Sequence, residues 1–247
     1  MLRKRLVTVL TFNEGVLFRT RNFIPDYRYT LNFVDAWSVD EIIVLDITRE
    51  PGEYRGYFEE AVSWFASQCF VPLTVGGGVR GLDDFERLLG LGADKIAVNS
   101  GAVERPELIS EASRQYGSQC VVLSMDAART EGGGYAVRSH FGARDTGMPP
   151  DAWARKGQEL GAGEILVQSI ERDGMLEGYD NELNNLVSGA VDIPVLGCSG
   201  AGNWEHFEDG FKEGGLSAVC TTNIYHFTES SIASAKLYLK QNGVLMR

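Results

Sequence analysis

Val71-Pro-Leu-Thr-Val-Gly-Gly-Gly-Val-Arg80 is the stretch that decides how the chain is read. Five residues ending in Val75 have the composition of a buried strand, and three glycines follow at once. Glycines let a backbone approach a ligand closely and turn its N–H groups toward an anion, because no Cβ intervenes. Leu82-Asp-Asp-Phe-Glu-Arg-Leu-Leu89 comes next, with acids in its first turn and apolar residues at helical spacing, so the glycines join a strand to a helix N terminus, a favoured seat for phosphates.

The same alternation recurs along the 247 residues. Apolar runs at Leu6–Phe12, Glu41–Ile47, Val71–Val75, Lys95–Asn99, Cys120–Asp126, Glu164–Ser169, Ile193–Gly197 and Ala218–Thr222 read as strands. Amphipathic segments at Tyr57–Ser67, Asp83–Leu91, Pro106–Tyr116, Ala152–Leu160 and Trp204–Glu213 read as helices between them. Strands alternating with helices predict a parallel sheet, and eight such units close into an α/β (β/α)8 TIM barrel occupying 1–247 as a single domain.

An internal repeat divides the chain near its middle. Glu41-Ile-Ile-Val-Leu-Asp-Ile matches Glu164-Ile-Leu-Val-Gln-Ser-Ile, and Val71-Pro-Leu-Thr-Val-Gly-Gly-Gly matches Ile193-Pro-Val-Leu-Gly-Cys-Ser-Gly. The pattern predicts two related half-barrels. Each half then offers one glycine-containing loop, Gly76-Gly77-Gly78 or Ser199-Gly200-Ala201-Gly202, and one polar strand end, Asn99-Ser100 or Thr222-Asn223. These glycines either make tight turns alone or cradle the two anionic ends of a long phosphorylated ligand.

In a barrel the loops after the strands build the site. Aligning strands one and five puts Thr11 opposite Asp126. Two acids there would make a general acid and base, but only one is present, with Asp46 the nearest other carboxylate or merely a turn cap. At the strand-starting end Arg5, Glu41, Lys95 and Glu164 each open an apolar strand. They are either exposed termini or mutually neutralising charges that form a plug or gate in the floor. Arg19-Thr20-Arg21 is a basic loop able to close over an anion, or an exposed hairpin.

Composition limits the classes of function. A net charge of −11 opposes binding to nucleic acid and anionic membranes, and no apolar run is long enough to cross a membrane or serve as a signal peptide, so a cytoplasmic protein is expected. Cys69, Cys120, Cys198 and Cys220 lack zinc or disulfide spacing and read as buried thiols, with Cys198 close to the site. His140, His206 and His226 are too scattered for a metal, and no metal or cofactor is assigned. Trp37, Trp64, Trp153 and Trp204 read as packing anchors.

The words Leu45-Asp-Ile-Thr48, Leu73-Thr-Val-Gly-Gly-Gly-Val-Arg80, Gly92-Ala-Asp-Lys95, Pro106-Glu-Leu-Ile-Ser110, Gly117-Ser-Gln-Cys-Val-Val122, Gly161-Ala-Gly-Glu-Ile-Leu166, Arg172-Asp-Gly174, Glu177-Gly-Tyr-Asp180 and Gly200-Ala-Gly202 resemble the cyclase subunit of imidazole glycerol phosphate synthase along essentially the whole chain. The resemblance implies a (β/α)8 barrel that takes ammonia from a glutaminase docked at its floor and closes an imidazole ring on a bisphosphorylated ribotide at its mouth. It implies a catalytic role for Asp126, a phosphate site at Gly77, Gly78, Asn99 and Ser100, substrate-loop residues Asp173 and Gly174, and a second phosphate site around Gly200. It further implies an ammonia gate of Arg5, Glu41, Lys95 and Glu164, and a partner-facing acid at Asp94.

The chain departs from that family at the mouth. Thr11 stands in place of the other catalytic aspartate, Arg19 in place of a lysine, and Gln168 and Phe141 in place of a threonine and a serine. The second phosphate site carries Cys198-Ser199 and Thr222-Asn223 instead. Threonine does not titrate near neutral pH. A retained floor with an altered mouth resembles the paralogous branch associated with surface polysaccharides, in which barrel and glutaminase supply ammonia for amidation of a sugar by a separate amidotransferase. That role is expected here. The alternatives are a genuine cyclase with Asp46 or a water compensating for Thr11, and a noncatalytic barrel that activates the glutaminase.

Overall fold

The computed structural model describes residues 3–28, 39–50, 52, 54–221 and 232–247, and the account below concerns those residues. Eight parallel strands form a closed barrel: β1 (Arg5–Asn13), β4 (Glu41–Asp46), β5 (Leu73–Gly76), β6 (Lys95–Val98), β7 (Val121–Arg129), β10 (Glu164–Ser169), β11 (Val195–Cys198) and β12 (Ala218–Thr221). They are hydrogen-bonded in that order, β12 returns to β1, and β7 meets β10 to complete the ring. The eight strands read from the sequence are all present, with ends shifted by at most two residues except at β7, which runs three residues further, to Arg129.

Helices cover the outside: α1 (Tyr54–Gln68), α2 (Leu82–Gly90), α3 (Ser100–Glu104), α4 (Glu107–Tyr116), α5 (Pro150–Glu159), α6 (Asn181–Ser188), α7 (Trp204–Lys212) and α8 (Ile232–Gln241). The alternation read from the sequence did not include α3, α6 or α8. Two antiparallel ribbons rise from the mouth. β2 (Val16–Arg21) and β3 (Ile24–Arg28) follow β1, while β8 (Tyr135–Ser139) and β9 (Arg144–Asp145) follow β7.

Side chains on a strand alternate between faces, and a closed sheet turns that alternation into two separate cores. Leu6, Leu10, Ile42, Val44, Ile96, Val98, Leu123, Ile165 and Val167 face outward, beneath helix residues such as Phe65, Phe85, Leu108, Trp153 and Phe207. Val7, Val9, Ile43, Leu45, Ala97, Val122, Leu166, Leu196, Ala218 and Cys220 fill the interior. Trp153 is an anchor, 2% exposed, and Trp204 packs against the same outer core and Tyr238. Trp64 departs from the expectation: it is 46% exposed, because it lies on the outer side of α1 with only its edge against Phe65. Trp37 lies outside the described residues. Among the cysteines only Cys220 is buried; Cys69, Cys120 and Cys198 are partly exposed, since Cys69 and Cys120 border the ends of elements.

The glycine loop after β5 is shaped by the neighbouring strand. Gly77 has φ +109°, and a Cβ placed on it would lie 2.3 Å from the Asp46 carbonyl oxygen. No other residue fits there without moving the end of β4. Replacing Gly77 by alanine is therefore expected to destabilise the fold by about 2 kcal/mol or more in urea unfolding. An unchanged unfolding midpoint would contradict the packing described.

Candidate functional site

The C-terminal ends of β4, β5, β6, β7 and β10 surround a cavity of about 480 Å³. Gly77, Gly78, Asn99, Ser100 and Asp126 all line it, so the first set of residues picked from the sequence is brought together. Gly78 has φ +66°, and with Gly77 it opens the backbone toward the cavity. The Ser100 hydroxyl oxygen accepts the His140 N–H at 2.9 Å, which leaves its own proton free to be donated to a ligand. The carbonyl oxygen of the Asn99 side chain is buried with no partner.

Asp126 is 5% exposed and belongs to the inward-facing set of β7. Burial pushes its carboxyl up to about 7, the nearby Asp173 adds to the rise, and hydrogen bonds from Gln168 and Asn99 hold it back. Gln168 Nε2 donates to Asp126 Oδ1 at 3.0 Å. A carboxyl that exchanges its proton near neutral pH suits general acid–base work. The resemblance already places Gln168 at the mouth in the position of a threonine, and alternation inward from Glu164 on the same strand points to it as well; its bond to Asp126 is what the structure adds.

Thr11 shares the inner face of β1 with Val7 and Val9, but its hydroxyl donates to the Phe18 carbonyl on β2. It therefore ties the ribbon to the barrel. Asp46 does not form a pair with Asp126. It alternates with the inward Leu45, and its Oδ1 accepts the Thr48 N–H at 2.9 Å, so it caps the turn.

Arg19 lies on β2 in an ion pair with Asp26, at 2.7 Å from Nη2, and is absent from the cavity lining. The basic loop is a paired ribbon, and its tip reaches across the mouth. Asn22 N donates to the Asp173 carbonyl at 3.1 Å and Phe23 N to the Asp173 carboxylate at 3.0 Å. A Cβ on Gly174 would lie 2.5 Å from the Thr20 carbonyl. Asp173 is thus a clamp for the ribbon, and burial raises its pKa against the opposing hydrogen bonds from Phe23 and Thr20.

The second glycine loop is tighter. Asp173, Gly174, Cys198, Ser199, Gly200 and Thr221 line a cavity of about 30 Å³, space for a water or two. Ser199 has φ +79°, is 7% exposed, and its hydroxyl has no partner. Burial pushes the Cys198 thiol up to about 12, with Asp173 adding to the rise, so it is an unreactive thiol. Thr222 and Asn223 lie outside the described residues.

At the opposite end the four floor charges converge. Arg5 Nη1 reaches Glu41 at 2.5 Å and Glu164 at 2.8 Å, while Lys95 Nζ reaches the same two carboxylates at 3.0 and 2.8 Å. The ring carries two cations and two anions and is closed. Burial alone would raise the Glu41 carboxyl, but Arg5 and Lys95 outweigh it and hold it below the usual range. Burial opposes the Arg5 charge in the same way, and Glu164 and Glu41 reverse the effect. Outside the ring, Arg3, Pro194, Ser217 and Arg247 help line a depression of about 330 Å³. Asp94 accepts the Leu73 N–H at 2.8 Å on the same floor.

His140 pairs with Glu104 at 3.1 Å and His206 Nδ1 accepts the Gly202 N–H at 3.0 Å, while His226 lies outside the described residues. Among the described residues no helix is long and apolar enough to cross a membrane. The sequence profile of the family described as "Histidine biosynthesis protein" matches residues 7–231.

Two outcomes follow from the strained and buried groups. Ser199→Gly removes both a left-handed side chain and an orphaned hydroxyl, and is expected to raise stability by on the order of 1 kcal/mol in thermal unfolding. The Asp126 carboxyl holds its proton more tightly folded than unfolded, so its contribution to stability is full below about pH 4 and fades as pH rises through about 7. Asp126→Asn does not titrate. Between about pH 5 and about pH 8 the variant should gain roughly 2 kcal/mol relative to the parent, as read by urea unfolding, and a flat difference would deny the buried acid.

Proposed function

The chain belongs to the histidine biosynthesis protein family, and from that premise we propose that it is the synthase subunit of a glutamine amidotransferase. In this reading a glutaminase docks on the floor around Asp94 and the barrel conducts the ammonia it releases. The observation that carries the proposal is the axial sequence of environments: a closed charged ring, an apolar sleeve of Val7, Val9, Ile43, Leu45, Ala97, Val122 and Leu166, and a polar rim with Asp126. Uncharged ammonia crosses an apolar sleeve at small cost, whereas ammonium would shed its hydration without compensation. Opening the ring requires a Lys95 or Arg5 contact to part, which a docked partner can bias.

The mouth takes a phosphorylated small-molecule ligand on Gly77, Gly78, Asn99 and Ser100, with Asp126 able to supply or take a proton. Asp46 and Asp84 line the same cavity, but Asp46 Oδ1 caps its own turn, Asp84 accepts from Arg80 and Arg87, and Thr11 serves β2, so Asp126 has no second acid paired with it. This favours delivery of ammonia for amidation of a surface-polysaccharide sugar, through a separate amidotransferase, over efficient imidazole ring closure. Loss of one member of an acid–base pair commonly costs about 10² to 10⁴ in rate.

Reconstitution with the glutaminase tests the reading. Glutamine turnover should release ammonia that is trapped at the mouth, and ring closure on the bisphosphorylated ribotide should run about 10² to 10⁴ below that of a two-aspartate cyclase. Ring closure at the two-aspartate rate would establish an ordinary cyclase instead. Ammonia that escapes entirely to solvent, before reaching the mouth, would leave a barrel that only activates its partner. Lys95→Met leaves the buried Glu41 and Glu164 short of one cation, which is expected to cost about 3 kcal/mol in stability and to lower glutamine-dependent delivery more than delivery from added ammonium salt.

A further inference from the structure

Beside the glycine loop, the first cavity holds a second group of anion donors that the family resemblance does not account for. Arg49, Arg55 and Arg80 all line it. The Arg55 guanidinium lies 3.1 Å from where a Cβ on Gly78 would be, so it borders the backbone cradle directly. Its nearest carboxylate, Asp84, stands 4.0 Å away and is already occupied by Arg87 at 2.8 Å and by the Arg80 N–H at 2.8 Å. Arg49 comes from the loop after β4 and meets Phe141 of the β8–β9 ribbon, its guanidinium carbon 5.6 Å from the ring centroid. Neither Arg49 nor Arg80 makes an ion pair among the described residues.

The lining also carries Asp46, Asp84 and Asp126, yet Arg49 and Arg80 make no ion pair among the described residues and Arg55 has only the long contact to an Asp84 already held by Arg87, so these guanidiniums are the groups of the cavity that can draw an anion in a chain of net charge −11. One phosphate on Gly77, Gly78 and Ser100 would use the backbone donors and leave the outer guanidiniums unused. The cavity, about 480 Å³, has room for more than one such group, and planar guanidinium forks match phosphate oxygens in pairs.

We propose that Arg49 and Arg55 form a second anion subsite next to the glycine cradle, so that the mouth takes a diphosphate ester whose two phosphates sit side by side in the one cavity. Gly77, Gly78 and Ser100 hold the inner phosphate, and Arg55 and Arg49, the latter beside the Phe141 ring, both receive the outer one. This deepens the proposed function, on which it rests for the first phosphate.

Calorimetric titration of the full chain with pyrophosphate and with orthophosphate tests it, at constant ionic strength and without divalent cations. Pyrophosphate should bind at least about tenfold more tightly. Arg49→Gln and Arg55→Gln should each abolish most of that advantage while orthophosphate affinity stays within about twofold, with circular dichroism confirming that the variants fold. Equal affinity of the parent for both anions would overturn the second subsite and leave the cradle standing. Loss of orthophosphate binding in either variant would also overturn it, because the arginines would then belong to a single site. If neither anion binds the parent, the cradle and the subsite both fail, while ammonia trapping decides the conduit separately.

Discussion

Closure of the sheet through the parallel pairing of β7 with β10 is the constraint on which everything else in this molecule depends. An open sheet would have two faces and two edges. A closed one has an inside and an outside, and each strand's alternation then dictates which residues meet on the axis. Arg5, Glu41, Lys95 and Glu164 are far apart in the chain, yet each begins an inward-facing series, so they are delivered to one ring. The same parity sends Asp126 and Gln168 inward and Asp46 outward.

Electrostatics then divides the axis into zones. At the floor, opposite charges at 2.5 to 3.0 Å compensate their own desolvation. At the rim, Asp126 has amide neighbours and a second acid nearby but no cation, so burial dominates and its proton affinity rises. Two carboxyl types in similarly buried places thus acquire opposite tendencies, because one has cations for partners and the other has amides.

Much of this was legible in the sequence. The eight strands follow from apolar runs and their spacing, and the first cradle from Gly77, Gly78, Asn99 and Ser100 at successive strand ends, whereas spacing left the floor charges open between exposed termini and a plug and only the family resemblance gathered them into one gate. What escaped the reading lies where no period operates. Arg49 and Arg55 belong to a loop and the start of a helix. The role of Asp173 as a clamp depends on a ribbon tip 150 residues away in sequence. Thr11 faces the axis as expected, yet its hydroxyl is turned to Phe18, a rotamer choice that residue type does not reveal. Helices α3, α6 and α8 carry weak sequence signals, because Ser100–Glu104 is very short, Asn181–Ser188 is rich in asparagine, which favours caps and turns, and Ile232–Gln241 has a diffuse apolar face.

The ribbon tip has one more consequence. Asn22 and Phe23 rest on Asp173 and beside Gly142, along the seam between the lining of the large cavity and that of the small one. Two hydrogen bonds and the close seat at Gly174 weld this tip to the loop after β10. A hairpin that adds no lining residue to either cavity is thereby fixed to the wall of the smaller one, and the two sides of the mouth share a joint.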